Sequence, residues 1–302
     1  MDTNAPLQPI VVGFDSRGDD TAFDWARAEA ERRSLPLTVV AAEGIPYADA
    51  SGLGFGSATW PEGLTDGLHE AARTYVSTRA PGLDVTITGS VGTPAAVLVK
   101  ASETAELVVV GRRKHSVVGE LVGGSTSSQV VAHASCPVVV VDREFSGAAT
   151  APIVVGVDGS PESRAALEFA FERASALGAP VVGVHGWWLD APGEMSTAWV
   201  SEGMNESFES VARGALEDAL APWVDRFPDV EVHKVLERQY APEVVLEAAA
   251  QAQLIVVGSR GHGGFAGLLL GSVSQSLLHN SHRTCPIAVL HVRKTTHQSA
   301  VS

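Results

Sequence analysis

One pattern of glycine and serine occurs twice in this chain, about half a chain apart, and it fixes most of what the polypeptide can become. Leu107-Val108-Val109-Val110 runs into Gly111-Arg112-Arg113-Lys114, then nine residues, then Gly124-Ser125-Thr126-Ser127. Leu254-Ile255-Val256-Val257 runs into Gly258-Ser259-Arg260-Gly261, then nine residues, then Gly271-Ser272-Val273-Ser274. Within these stretches Arg113 matches Arg260, His115 matches His262, Leu121 matches Leu268, and both trailing serines coincide. A buried strand that ends in a glycine loop and then opens a helix presents bare backbone N–H groups to an anion. The copies differ at the second glycine of the loop, where the first copy carries Lys114.

The repeat extends beyond the loop. Ile10-Val11-Val12-Gly13-Phe14-Asp15-Ser16 aligns with Ile153-Val154-Val155-Gly156-Val157-Asp158-Gly159, and Cys136-Pro137 with Cys285-Pro286. A chain of 302 residues suits two domains of about 150 residues each. We place them at 1–143 and 152–302, joined by the Ser-, Gly- and Ala-rich link Arg143–Ala151. In the first half the pattern predicts strands at 9–14, 37–42, 84–90, 106–110 and 137–142. Helices fall near 20–33, 64–79, 93–104 and 124–134, the third opening on the Thr93-Pro94 cap signal. The second half repeats the order, with strands at 152–157, 180–185, 229–235, 254–258 and 286–291. Its helices fall at 161–177, 205–225, 241–251 and 271–281. The strands are Val and Ile runs without alternation, as in a parallel sheet covered on both faces. Alternating strands and helices with right-handed crossovers give a doubly wound α/β sheet in each half.

Composition narrows the partners. A net charge of -14 argues against a nucleic-acid backbone or an anionic membrane. No basic run longer than Arg112-Arg113-Lys114 offsets it, so a bound anion needs a local backbone site. The N-terminus, Met1-Asp2-Thr3-Asn4-Ala5-Pro6, lacks the basic start and apolar core of a signal peptide. No apolar stretch approaches the roughly 18 residues that span a bilayer. Two cysteines at matching places in separate cores read as buried thiols in a reducing cytoplasm.

Ligands of open α/β sheets sit at the carboxyl ends of the strands, where the strand order reverses. Asp15 or Asp158 after the first strand, the loop after the second and the glycine motif after the fourth all point there. Gly111, Gly258 and Gly261 permit tight turns and close phosphate approach. Gly271 and Ser272 open a helix whose N-terminus carries roughly +0.5 of an elementary charge, and Ser272 and Ser274 add hydroxyl donors. The competing reading is a tight strand-to-helix connection with serine caps; the spacing kept in both halves favours a ligand. Other chemistry lacks support. Gly156-Val157-Asp158-Gly159-Ser160-Pro161 keeps two glycines of a dinucleotide turn and then fails. His279-x-x-His282-x-x-Cys285 spans a helix end and a strand, without the geometry of a closed metal site. Trp187-Trp188 reads as a hydrophobic lid or as a flank for an aromatic ring. No nucleophile-elbow, zinc-protease, Cys-x-x-Cys or Walker motif occurs.

The opening V-G-x-D strand, the G-x-x-G, nine-residue, G-S pattern and the closing C-P-V strand resemble the universal stress protein family, here as a tandem pair. The resemblance implies two Rossmann-like five-stranded parallel sheets in strand order 3-2-1-4-5. It also implies ATP binding, with Mg²⁺ on the phosphates. Carried over, Asp158 faces the adenosine, the backbone near Gly186 reads the adenine edge, and Gly258, Gly261, Gly271, Ser272 and Ser274 hold ribose and phosphates. The first half matches at Asp15, Ala42, Gly111, Gly124, Ser125 and Ser127 and departs at Lys114. That lysine either fills the phosphate seat or pairs its ammonium with a phosphate.

The expected activity is that of a cytoplasmic, nucleotide-responsive stress or dormancy regulator rather than an enzyme. No general base or arginine finger can be placed, so any hydrolysis should be slow. A nucleotide-free interaction module and a nucleotide-hydrolysing enzyme are the alternatives. The closing strands, apolar runs at a sheet edge, are expected to pair the halves into an intramolecular pseudo-dimer. A homodimer and an unidentified protein partner stay open.

Overall fold

The computed structural model describes residues 7–14, 20–43, 66–112, 126–142, 148, 150–187, 202–262, 269–280 and 285–292. The chain divides into two compact units, built on Met1–Glu144 and Phe145–Val292.

In the first unit the order is β1 (Ile10–Phe14), α1 (Asp20–Arg33), β2 (Leu37–Glu43), α2 (Asp66–Arg79), β3 (Val85–Val91), α3 (Pro94–Ala101), β4 (Leu107–Arg112), α4 (Thr126–His133) and β5 (Val138–Asp142). The strands lie in the order β3-β2-β1-β4-β5. Every pairing within it is parallel, Val12 standing between Val39 and Val109. Val108, Val109, Val138 and Val139 are fully buried, which explains why these strands carry apolar residues at consecutive positions rather than alternate ones. Thr93 caps α3, its side chain accepting from the Ala96 amide, with Pro94 in the first turn.

The second unit repeats the plan as β6 (Ile153–Gly156), α5 (Pro161–Leu177), β7 (Val181–Gly186), α6 (Glu202–Arg226), β8 (Val232–Glu237), α7 (Ala241–Ala248), β9 (Leu254–Gly258), α8 (Ser272–Asn280) and β10 (Ile287–Leu290). Its strands run β8-β7-β6-β9-β10, again parallel throughout. Each sheet therefore has the expected 3-2-1-4-5 order. Helix α5 shows why the sequence folds as it does. Ser160 accepts from the Ser163 amide at its start and Pro161 fills the first turn, where an N–H has no partner to lose. Gly178 ends it in the left-handed conformation at φ 63. Between these caps Ala166, Leu167, Ala170, Phe171 and Ala174, spaced by three and four, are buried against the sheet.

Some boundaries differ from the sequence expectation. Strand β8 starts at Val232 because Val230 donates to Phe227 O in a turn, which delays entry into the sheet. Helix α3 stops at Ala101, where the Ser102 hydroxyl turns back to Val99 O. Strand β4 continues to Arg112, paired in register with Asp142. Cys136 and Cys285 are both buried thiols outside any disulfide, as read from the sequence.

Candidate functional site

In the second unit the chain leaves β6 to pair β7 on one side and later returns to place β9 on the other. The strand order thus reverses at the carboxyl end of β6, the place where open α/β sheets bind ligands. A cleft of about 260 Å³ opens there. It is lined by the ends of β6, β7 and β9, the loop Arg260–His262 and the first turn of α8. Asp158, Gly186, Gly258, Gly261, Gly271, Ser272 and Ser274 all lie on its wall, so the structure brings together the second-half residues assigned to nucleotide by the family resemblance.

Backbone spacing explains most of the glycines. A Cβ on Gly258 would lie 2.7 Å from Glu162 Cβ and 2.9 Å from Glu162 C, so glycine lets the start of α5 press onto the end of β9. A Cβ on Gly186 would lie 2.6 Å from Ala241 Cα, against the first residue of α7. Gly271 is looser: its nearest neighbour would be Arg260 Cα at 3.2 Å. Its amide donates to Ser259 O at 2.8 Å, and its carbonyl accepts the Gln275 amide of α8. The amides of Ser272, Val273 and Ser274 therefore belong to the helix end that has no intrahelical acceptor, and Ser272 is exposed beside them. Here the cleft offers donors to an anion.

The serines divide. Ser272 faces the opening, whereas Ser274 is buried and donates its hydroxyl to Gly258 O at 2.6 Å. The Ser274 proton is spent inside the protein, which leaves the phosphate role expected of it to its backbone amide. Asp158 accepts from the Ser160 amide at 2.9 Å and from the His262 amide at 3.2 Å.

Two cleft residues, His185 and Arg260, were not given a site role in the sequence analysis. His185 Nδ1 donates to Val157 O at 2.6 Å, closing the sheet end between β6 and β7. Arg260 stands 3.4 Å from Glu162, half-exposed on the rim. Trp187, read from the sequence as a lid or a flank, has Arg238 over its ring at 5.7 Å from the centroid, a partner within the protein. A histidine directly before the strand-end glycine and an arginine inside the glycine loop were the signals available.

In the first unit Ala42 ends up beside Ser90 at the carboxyl end of β2, Gly111 sits within β4, and Ser127 is buried in the first turn of α4. Asp15, Lys114, Gly124 and Ser125 lie outside the described residues, as do Trp188 and His282. Ala41 stands where the second unit has His185, at the same register along β1 and β2. Phe14 ends β1 and packs on Tyr75 at 5.5 Å between ring centroids. Burial pulls the Arg112 pKa below the ordinary arginine value, and Asp142 beside it pulls in the opposite direction.

Among the described residues no group of three His, Cys, Asp or Glu side chains gathers as a metal site. His279 Nδ1 donates to Gln275 O. No described helix is long and apolar enough to cross a membrane.

The comparisons with known proteins agree on one family. The model of the universal stress protein family matches residues 6–142 and 150–293. A universal stress protein of Mycolicibacterium smegmatis is 35% identical over 294 residues, 94% of this chain and 97% of its own. Universal stress protein Rv2005c of Mycobacterium tuberculosis is 34% identical over 290 residues, 89% of this chain and 93% of its own. A crystal structure of a universal stress protein from Archaeoglobus fulgidus superposes with a TM-score of 0.61 at 17% identity, over 93% of this chain and 97% of that one. The functionally unknown protein PA1789 of Pseudomonas aeruginosa gives 0.62 at 17%, over 94% and 92%. At these identities the two structures speak for the fold.

Proposed function

From the premise that this chain belongs to the universal stress protein family, we propose that its second half binds ATP and that the protein works as a nucleotide-responsive stress or dormancy regulator. The observation that carries this reading is the cleft at the strand-order reversal, with the open first turn of α8 on its wall. A triphosphate would meet the first-turn amides and Ser272 there, where the helix dipole favours negative charge. Ribose would lie along Gly258 and Gly261, and the adenine edge at the backbone of Gly186. Mg²⁺ would ride on the phosphates, whose oxygens suit a hard cation. ATP supplies a cellular energy signal, and this chain's part is to hold it. We place the protein outside the enzymes, as a holder of nucleotide rather than a catalyst of its hydrolysis. Two buried thiols fit a reducing, cytoplasmic setting.

One observation favours a second reading, a nucleotide-free interaction module. Gly186 and Gly258 are already required by the packing of α7 and α5, so their presence does not by itself demand a ligand. Calorimetric titration of ATP and Mg²⁺ into nucleotide-stripped protein separates the two. Saturable binding supports the regulator, and no binding at millimolar ATP supports the module.

A further inference from the structure

Resting on that nucleotide-binding reading, we propose that Asp158 serves as a positioning residue that clamps the glycine loop, and that Gly261 is glycine because the Asp158 carboxylate lies on it. An aspartate at this place was expected to face adenosine. Each of its two oxygens also accepts a backbone amide. Gly159 turns the chain tightly after β6, at φ +80. In that turn Asp158 Oδ1 accepts from the Ser160 amide and the Asp158 amide donates to Ser163 Oγ at 3.2 Å. The carboxylate is thus held by the start of α5 before it meets anything else.

Its second oxygen reaches across the sheet end and accepts from the His262 amide at 3.2 Å. A Cβ built on Gly261 would lie 2.1 Å from that oxygen, far inside contact distance. A Cβ on Gly159 would stand 3.7 Å from His262 Cε1, so the two loops also approach each other at this corner. The loop is fastened to its own neighbours by Gly271 N to Ser259 O and by Ser274 Oγ to Gly258 O. Asp158 adds the tie to α5, and with it the seat the loop offers a phosphate. Direct phosphate approach and the Asp158 clamp are separate reasons for a glycine at 261, and they predict different mutational patterns.

The test is a cycle of Asp158→Ala, Gly261→Ala and the double variant, with Asp158→Asn beside it. Each is read by ATP–Mg²⁺ calorimetry and by the thermal midpoint of the nucleotide-free protein. The clamp predicts at least ten-fold weaker ATP binding in each single variant. It predicts a double variant within about three-fold of the weaker single, with a midpoint no lower than that of Gly261→Ala. Asp158→Asn should behave like the alanine, because the two amides are accepted by two different oxygens and the carboxamide puts an NH2, which only donates, in place of one of them. A ribose contact would instead survive in the asparagine. Losses that multiply in the double variant, or Asp158→Asn within two-fold of the native protein, overturn the clamp. If Gly261→Ala alone fails to fold, a restored cooperative melt in the double variant supports the clamp and continued failure overturns it. Native protein that takes up no ATP removes the parent reading and this role together. Native binding with a multiplicative cycle removes this role alone.

Discussion

The hydroxyl of Ser274 donates to the carbonyl oxygen of Gly258 at 2.6 Å, bolting the first turn of α8 to the strand that precedes the glycine loop. Ser274 is 1% exposed, so nothing from solvent replaces that bond. Ser274→Ala should lower the unfolding free energy by about 0.5–1.5 kcal/mol, the net worth of a hydrogen bond. Urea unfolding of the nucleotide-free protein measures it. A loss below a few tenths of a kcal/mol would show that the bolt carries no strain of its own.

Gly258 and Gly271 should respond differently to the same change. Alanine at 258 drives a methyl into the Glu162 backbone, whereas alanine at 271 meets its first atom at 3.2 Å. Gly258→Ala should therefore cost about 1–3 kcal/mol as overpacking, and Gly271→Ala clearly less. Thermal melts without nucleotide compare them directly. Equal losses would contradict the assignment of Gly258 to protein packing.

Arg260 is the cation on the cleft rim, held 3.4 Å from Glu162. Arg260→Gln should weaken ATP binding several-fold and flatten its dependence on salt, because an exposed charge acts through a screened field. Calorimetry at two ionic strengths reads both effects. An unchanged salt slope would remove Arg260 from the binding surface.

The element order was legible because buried parallel strands appear as uninterrupted runs such as Leu107–Val110 and Leu254–Val257, and because Ser160-Pro161 and Thr93-Pro94 mark helix starts. The strand order came from family resemblance, since a Val run does not reveal which strand lies beside it. The start of β8 was misplaced because Val230 is buried like a strand residue but sits in a turn. At the site, the positions could be read but not their reasons. Gly258 answers to Glu162, Gly261 to Asp158 and Gly186 to Ala241, partners far away along the chain that no local pattern connects. The Ser274 hydroxyl looked like a phosphate donor because spacing does not show which way a side chain turns.

Lys114 replaces the second loop glycine of the first half. We expect its ammonium to contact phosphate, which gives two nucleotide sites in the native chain. Lys114→Gly should then weaken the first site by about 1.5–3 kcal/mol, the worth of a hydrogen bond to a charged group. Stoichiometry by calorimetry decides. One site in the native protein that rises to two in the variant would mean the lysine fills the seat instead.

The most direct test of nucleotide binding in the second half is ATP–Mg²⁺ titration of Ser272→Asp beside the native protein. An aspartate in the first turn of α8 favours the helix dipole, so the fold should hold and the thermal midpoint should stay level or rise. The same carboxylate stands where the phosphates are placed. The account predicts that the second-half site is lost, with affinity there falling at least ten-fold while the melt is preserved. ATP binding with native affinity and native stoichiometry in Ser272→Asp would contradict it.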